Sequence, residues 1–158
     1  MFLALAVRTN LSMASHKQIT RWGLFIDEVA ERAMVEEYRK KLNIRMASPE
    51  QVIAGLSGGN QQKVTLARWL ALGPKVLIVD EPTRGIDIGA KVEVHNLLFE
   101  LARSGIAVIA ISSELPEVLA ISDRIVTMRE GRVTGEIKSE DANEEILMSM
   151  MTLNAKEA

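Results

Sequence analysis

The chain has 158 residues, of which 47% are hydrophobic and 25% are charged, and it contains no cysteine. This composition is ordinary for one globular domain or a large part of one, and the lack of thiols excludes a disulfide framework and thiolate metal sites. The net charge of -2 gives no reason to expect a nucleic-acid partner.

The first 74 residues are predicted to be helical. The apolar run over residues 1–7 has no basic residue ahead of it and no small-residue cleavage site, and it is too short to cross a bilayer. We therefore expect a buried segment or a truncation scar there. Residues 27–41 have apolar side chains at helical spacing, and this spacing predicts a helix whose apolar stripe holds Val29, Ala33, Met34, Tyr38 and Leu42.

From residue 75 onward the pattern alternates strand and helix. Residues 76–79 and 106–111 are short apolar runs typical of strands buried on both faces, and a helix is predicted over residues 92–103 between them. Further along, two strands flank a turn at Glu130-Gly131, and Asn143 can cap a last helix. Strand–helix–strand order predicts a parallel sheet, with ligands at the carboxyl ends of its strands.

Ser57, Gly58 and Gly59 stand where a helix should begin, and Gly73-Pro74 should end that helix. A helix start leaves backbone N–H groups unpaired and carries a partial positive charge. Two glycines let a phosphate approach the main chain, and the serine hydroxyl adds another donor. The alternative is a plain N-cap followed by flexible glycines.

Asp80 and Glu81 follow the first apolar strand, where paired carboxylates are costly unless their charge is used. Asp80 is suited to hold magnesium through water, and Glu81 to orient or deprotonate a water that attacks phosphorus. Alternatively, Asp80 pairs with a nearby Arg or Lys and Glu81 caps the next turn. Asp87 either caps the following helix or crosses a subunit interface. Ser113, on the same sheet edge as Glu81, either contacts a terminal phosphate or is an N-cap.

These motifs resemble those of the ATP-binding subunit of ABC transporters. The chain is most similar to the second nucleotide-binding domain of the tandem ATPases of bacterial importers of ribose, galactose and xylose. Residues 56–60 are similar to the ABC signature, with Asn60 where many families carry Gln, and residues 76–81 are similar to Walker B with its catalytic glutamate. Residues 81–87 are similar to the run that leads into the D-loop, and Ser113 stands where a switch histidine is usual. No G-x-x-x-x-G-K-[ST] loop occurs in the 158 residues.

The resemblance implies an α/β fold, with a partial RecA-like P-loop NTPase core of mostly parallel sheet preceded by an α-helical subdomain. The expected boundaries are residues 1–74 for the helical subdomain, 75–139 for the core, and 140–158 for a C-terminal helix and tail. It also implies ATP and Mg²⁺ as cofactors. The implied roles are catalysis by Glu81, metal binding by Asp80, and nucleotide binding by Ser57, Gly58, Gly59, Asn60, Asp87 and Ser113.

In this family the signature of one subunit closes over a nucleotide held by the Walker A and Walker B motifs of another. The resemblance therefore implies an ATP-hydrolysing subunit that drives carbohydrate uptake. Its partners would be permease subunits and another nucleotide-binding domain, with no nucleic acid. It would lie peripherally on the cytoplasmic face of the inner membrane, without a transmembrane segment of its own.

Two other functions are compatible with parts of this pattern. The chain could be a non-catalytic remnant or a split-domain module that supplies its signature to the Walker A motif of another subunit. An ABC-type DNA-repair ATPase shares the same motifs, but it would carry long heptad arrays and basic stretches, and neither occurs in this sequence.

Overall fold

The computed structural model describes residues 1–22 and 24–152, which form two compact units. The first unit comprises Met1–Leu77 and Thr83–Val108, and the second comprises Ile78–Pro82 and the chain from Ile109 onward. The elements in chain order are α1 (Val7–Ser12), α2 (His16–Ile19), β1 (Thr20–Arg21), β2 (Phe25–Ile26), α3 (Glu28–Lys41), α4 (Gly58–Leu70), β3 (Val76–Asp80), α5 (Ile88–Arg103), β4 (Ala107–Ile111), α6 (Leu115–Ile121), β5 (Arg124–Arg129), β6 (Arg132–Lys138) and α7 (Glu144–Thr152). The subdomain boundaries expected at residues 74 and 139 stay predictions, and the expected tail after residue 152 lies outside the described residues.

The first unit is organised around α4, which packs against α1 and α5. The helix predicted over residues 92–103 is confirmed as part of α5, and one apolar stripe of it is buried: Val94, Leu97, Leu98 and Leu101. Helix α4 contributes a second buried apolar stripe, and α4 and α5 share an apolar interior with α1 and α3. The buried apolar side chains outside α5 include Val7, Leu11, Val35, Leu42, Val64, Leu66, Ala67 and Leu70.

Helix α3 exists where it was predicted, but its buried face matches the predicted stripe only in part. Asp27 caps it, accepting a 3.1 Å hydrogen bond from the N–H of Val29. Val29, expected on the apolar stripe, is 78% exposed, whereas Glu31 and Val35 are buried. The carboxylate of Glu31 forms a 2.7 Å ion pair with Arg8. The apolar pattern predicts that Glu31 faces solvent, but in the structure its ion-paired carboxylate faces the interior.

The run over residues 1–7 is attached by its main chain rather than by buried side chains. The carbonyl oxygens of Leu3 and Leu5 accept hydrogen bonds from the N–H groups of Ala54 (3.2 Å) and Ile53 (3.1 Å). Phe2, Leu3 and Leu5 are exposed. The expectation of a buried segment is therefore wrong for most of these side chains. The β1–β2 hairpin was also missed, since strands of two residues carry no readable alternation.

Strands β3 and β4 lie side by side as the predicted parallel pair. The N–H of Ala107 donates to the carbonyl of Lys75 (3.0 Å), and the N–H of Glu81 donates to the carbonyl of Ile111 (2.8 Å). The residue numbers increase along both strands from the first hydrogen bond to the second, so the strands are parallel. The carboxyl ends of β3 and β4 consequently meet at one edge, where Glu81 was expected.

The prediction that these strands are buried on both faces is wrong for the described residues. Leu77 and Val79 are buried, but Ile78 between them is 64% exposed. In β4, Ile109 and Ile111 are each 50% exposed. A short apolar run does not reveal how many of its faces are covered, because burial depends on the layers that pack against the sheet.

The rest of the second unit follows the sequence prediction. Strands β5 and β6 form an antiparallel hairpin, and Glu130 (φ 50°) and Gly131 (φ 76°) form its turn. Asn143 caps α7, accepting a 2.8 Å hydrogen bond from the N–H of Ile146. Leu147 of this helix is fully buried, and α7 packs against both strands. Within the described ranges, no helix is long and apolar enough to span a membrane.

Candidate functional site

Ser57 is the N-cap of α4, as predicted, but its hydroxyl does not bond to the helix backbone. Instead, the side-chain amide of Asn60 donates a 2.9 Å hydrogen bond to Ser57 Oγ. Ser57 and Gly58 are exposed, whereas Gly59 is buried. The helix therefore presents its first residues to solvent, which is the geometry that a phosphate would require.

Gly58 and Gly59 also have a packing role that the sequence does not predict. A Cβ added to Gly58 would lie 3.0 Å from Cγ2 of Ile86, and one added to Gly59 would lie 2.7 Å from Cβ of Ala90. The distance at Gly59 is too short for two carbon atoms, and the distance at Gly58 would require the side chain of Ile86 to shift. The glycines therefore allow the start of α4 to approach the loop before α5 and the first turn of α5. A motif match carries no signal of this contact.

Asp87 is the N-cap of α5, and its Oδ1 accepts a 2.9 Å hydrogen bond from the N–H of Ala90. The capping alternative for this residue is confirmed. A role for Asp87 in nucleotide binding or across an interface stays a prediction.

An open cavity of about 590 Å³ lies beside the start of α4. Its lining includes Arg39, Arg45, Gln51, Ser57 and Asn60. The backbone N–H of Arg45 donates a 2.7 Å hydrogen bond to Asn60 Oδ1, so the loop after α3 is attached to the first turn of α4. Arg45 was not singled out in the sequence. Its basic charge near the signature is the only signal that could have identified it.

A charged pair links α4 to α5 close to this cavity. The ammonium of Lys63, whose side chain is only 6% exposed, donates a 2.8 Å hydrogen bond to Glu93 Oε2. This hydrogen bond is the main cause that lowers the pKa of Glu93, and the charges of Lys63 and Arg45 act in the same direction.

Glu81, in the second unit, has an unusual backbone. It follows β3 directly and has a φ of 48°, in the left-handed region that residues other than glycine rarely adopt. Its N–H donates to the carbonyl of Ile111, and its Oε1 accepts a 3.0 Å hydrogen bond from the N–H of Ser113. Strain of this kind is of the order of 1–3 kcal/mol and is concentrated at functional sites. The bonds hold the carboxylate at the carboxyl end of β4.

Asp80 is exposed at the end of β3. Among the described residues it forms no ion pair, so the alternative in which Asp80 pairs with an Arg or Lys finds no support there. Mg²⁺ commonly takes one or two carboxylates and completes its shell with water and phosphate oxygens. A single solvent-facing carboxylate at a strand end fits such an ion.

Ser113 is exposed and donates its N–H to Glu81, as its place on the same sheet edge suggested. The capping alternative for Ser113 is wrong, because Glu114 is the N-cap of α6. The preceding serine, Ser112, supplies the local hydroxyl, which accepts a 3.1 Å hydrogen bond from the N–H of Glu114 and donates to the carboxylate of Glu117. A contact between Ser113 and a phosphate stays a prediction.

Comparison with known proteins relates the chain to one family. The profile of the family described as "ABC transporter" matches residues 3–84. The ribose import ATP-binding protein RbsA of Clostridium perfringens strain SM101 is 51% identical over 148 residues, which are 94% of this chain and 30% of that protein. The protein of the same name from Bacillus subtilis strain 168 is 47% identical over 152 residues, covering 96% of this chain and 31% of that protein. The chain thus spans about 30% of the length of these relatives.

Solved structures agree with the fold. An ATP-binding cassette of an ABC transporter in its ADP conformation superposes with a TM-score of 0.73 at 24% identity, covering 92% of this chain and 59% of the other. A nucleotide-free ATP-binding cassette gives the same score and identity, and 60% of it is covered. The described residues therefore adopt the α/β fold of ATP-binding cassettes.

Proposed function

Because the chain belongs to the ABC transporter family, we propose that it is part of an ATP-hydrolysing subunit that drives import of ribose or a related sugar. Its identity of 51% to a ribose import ATP-binding protein supports the sugar class. The proposed partners are permease subunits and a second nucleotide-binding domain. The proposed location is the cytoplasmic face of the membrane.

The observation that carries this proposal is the geometry of Glu81. A strained backbone places its carboxylate at the carboxyl ends of two parallel strands, where α/β folds bind their ligands. A carboxylate at this place can orient a water molecule and accept its proton as the water attacks phosphorus. Asp80, adjacent and exposed, would hold Mg²⁺ through water, and this ion would neutralise charge on the phosphates.

The start of α4 supplies the other half of the proposed chemistry. Ser57 and Gly58 are exposed at a helix N-terminus, where a hydroxyl and main-chain N–H groups can donate to phosphate oxygens. By the logic of the family, this face would close on a nucleotide held by another subunit. ATP would supply the reactive phosphoanhydride, and the residues of this chain would position it and stabilise the charge on its phosphates.

A segment exchange in a relative tests the proposal. The aligned 148 residues of the C. perfringens ribose import protein are replaced by those of this chain, and the chimera is expressed in cells that lack their own ribose import ATPase. We expect ribose-dependent growth and magnesium-dependent hydrolysis. Glu81→Gln should lower kcat by about 10²–10⁴-fold, the usual contribution of a general base.

Glu136→Gln is the matched control, because Glu136 is an exposed β6 residue that pairs with Arg124. It should leave turnover unchanged. A chimera that reaches the membrane but neither hydrolyses ATP nor supports growth would contradict the proposal.

The exposure of Ser57 and Gly58 also favours the alternative function, in which this chain is not catalytic and only supplies its signature residues to a nucleotide bound by the Walker A motif of another subunit. The same chimera separates the two functions. If the chain only lends its signature, Glu81→Gln is silent and Ser57→Ala lowers turnover. If it hydrolyses ATP, both substitutions lower turnover.

A further inference from the structure

Asn60 makes two hydrogen bonds that connect three segments at the start of α4. Its Oδ1 accepts from the N–H of Arg45 at 2.7 Å, and its Nδ2 donates to Ser57 Oγ at 2.9 Å. The loop after α3, the N-cap and the first helical turn are therefore linked through one amide side chain. All three residues line the open cavity beside the helix start.

The orientation of this amide follows from the chemistry of its partners. The main-chain N–H of Arg45 can only donate, so the amide oxygen of Asn60 must face it. The amide nitrogen then faces Ser57, and because that nitrogen can only donate, Ser57 Oγ must accept. The single hydroxyl proton of Ser57 is left over. In the part of the chain that the structure describes, no acceptor is in place for it.

We propose that Asn60 is a positioning residue, which holds Ser57 Oγ as an acceptor so that the hydroxyl proton points outward to a phosphate oxygen. This inference rests on the proposed function and gives Asn60 a different role from direct contact with the nucleotide. A hydrogen bond from a hydroxyl to a charged oxygen is shorter and stronger than one between neutral groups. Fixing the donor in advance also removes the need to reorient it when the site closes.

The substitution Asn60→Asp isolates this role. It keeps the side-chain size and the acceptor for Arg45, but it replaces the donor to Ser57 by a second acceptor. The hydroxyl of Ser57 would then donate inward, and its proton would be lost to an incoming phosphate. Asn60→Ala removes both hydrogen bonds but leaves the hydroxyl free to rotate toward the phosphate.

The two roles predict opposite orders of effect. If Asn60 is only structural, Asn60→Ala is the more damaging change, because it loses both bonds. If Asn60 positions the hydroxyl, Asn60→Asp is the more damaging change for turnover, while Asn60→Ala still destabilises the fold more. In the ribose importer chimera, we expect Asn60→Asp to lower kcat/KM by about 10²-fold, the loss typical of one missing oxyanion donor. Asn60→Ala should lower it by a smaller factor.

Two controls separate the hydroxyl from the added negative charge. Gln62→Glu places the same charge change near the same end of α4 and should leave kcat/KM close to that of the unsubstituted chimera. In a Ser57→Ala background, Asn60→Asp should cause little further loss, because the hydroxyl it acts through is gone. An Asn60→Asp effect that persists in full in that background would assign the loss to charge repulsion and overturn the inference.

Hydrogen exchange on the 158-residue chain itself tests the bridge without any turnover. The Arg45 amide should be protected in the unsubstituted chain and in Asn60→Asp, and it should exchange faster in Asn60→Ala. An Arg45 amide that exchanges as in an open chain before any substitution overturns the inference, even if a variant fails to fold. An inactive unsubstituted chimera refutes the proposed function instead, whereas an active chimera that tolerates Asn60→Asp refutes only the role of Asn60.

Discussion

The packing of Gly59 against Ala90 gives a prediction that can be worked out from the structure. A Cβ at Gly59 would lie 2.7 Å from the Cβ of Ala90, well inside the separation of about 3.5–4.0 Å at which carbon atoms attract most strongly. The atom it meets is attached to the backbone of α5, so it cannot rotate away. Gly59→Ala therefore requires the starts of α4 and α5 to move apart.

The magnitude is a balance of two effects. Overpacking a well-packed contact typically destabilises by about 1–3 kcal/mol. Alanine is a better helix former than glycine by up to about 1 kcal/mol, which offsets part of this loss. We expect Gly59→Ala to lower the free energy of unfolding by about 1–2 kcal/mol, which corresponds to a fall in Tm of about 2–8 °C for a chain of this size.

The assay is urea unfolding followed by circular dichroism, with Ala90→Gly as the partner substitution. Ala90→Gly alone should destabilise the chain by up to about 1 kcal/mol, because it places a glycine in the first turn of α5. Combined with Gly59→Ala it should recover stability, since it removes the atom that the new Cβ meets. Two additive losses, or a Gly59→Ala chain as stable as the original, would refute the assignment of this glycine to packing.

Three further predictions concern other contacts. Arg68→Met should lower the free energy of unfolding by about 1–3 kcal/mol, because the buried guanidinium donates to the main-chain carbonyl of Asn10 and its loss leaves that carbonyl without a donor; urea midpoints will measure this. The lowered pKa of Glu93 means that its bond to Lys63 stabilises fully above the unfolded-state pKa of about 4.3 and fades as the pH falls through the folded-state value. The advantage over Glu93→Gln should therefore be present at pH 7, be less than about 1 kcal/mol because Glu93 is 47% exposed, and approach zero once the pH falls below the folded-state pKa, in urea titrations at each pH. The 158-residue chain alone should show no magnesium-dependent ATP hydrolysis in a phosphate-release assay, because it contains no G-x-x-x-x-G-K-[ST] loop to hold the nucleotide. The prediction is contradicted if the chain hydrolyses ATP and the substitution Glu81→Gln abolishes that activity.

Most predictions that rest on local chemistry agree with the structure, the capping alternative for Ser113 being the exception. Ser57, Asp87 and Asn143 cap the helices that they were expected to begin, and Glu130-Gly131 forms the turn of the β5–β6 hairpin. In each case the residue type suits the backbone geometry at its own position, and few distant contacts are needed. Such features can be read from a few consecutive residues.

Burial is where the sequence was insufficient, because it depends on partners far along the chain. Val29 matches an apolar stripe but faces solvent, while Glu31 lies inward, since Arg8 is present to neutralise it. Similarly, the apolar side chain of Ile78 belongs to a short strand whose coverage no local pattern specifies. The packing of Gly59 is a third case, because only the position of α5 reveals what a Cβ would meet.

Two glutamates have a left-handed backbone, but the reason for this conformation differs between them. Glu130 and Glu81 have φ of 50° and 48°. At Glu130 the geometry belongs to a tight hairpin turn, where left-handed residues are required in any case. At Glu81 the strained residue is held by a main-chain bond to Ile111 and a carboxylate bond from Ser113, at the edge where a parallel sheet presents its ligands. Strain that no turn requires, combined with a carboxylate fixed at such an edge, is the physical reason for which we propose Glu81 as the hydrolytic residue.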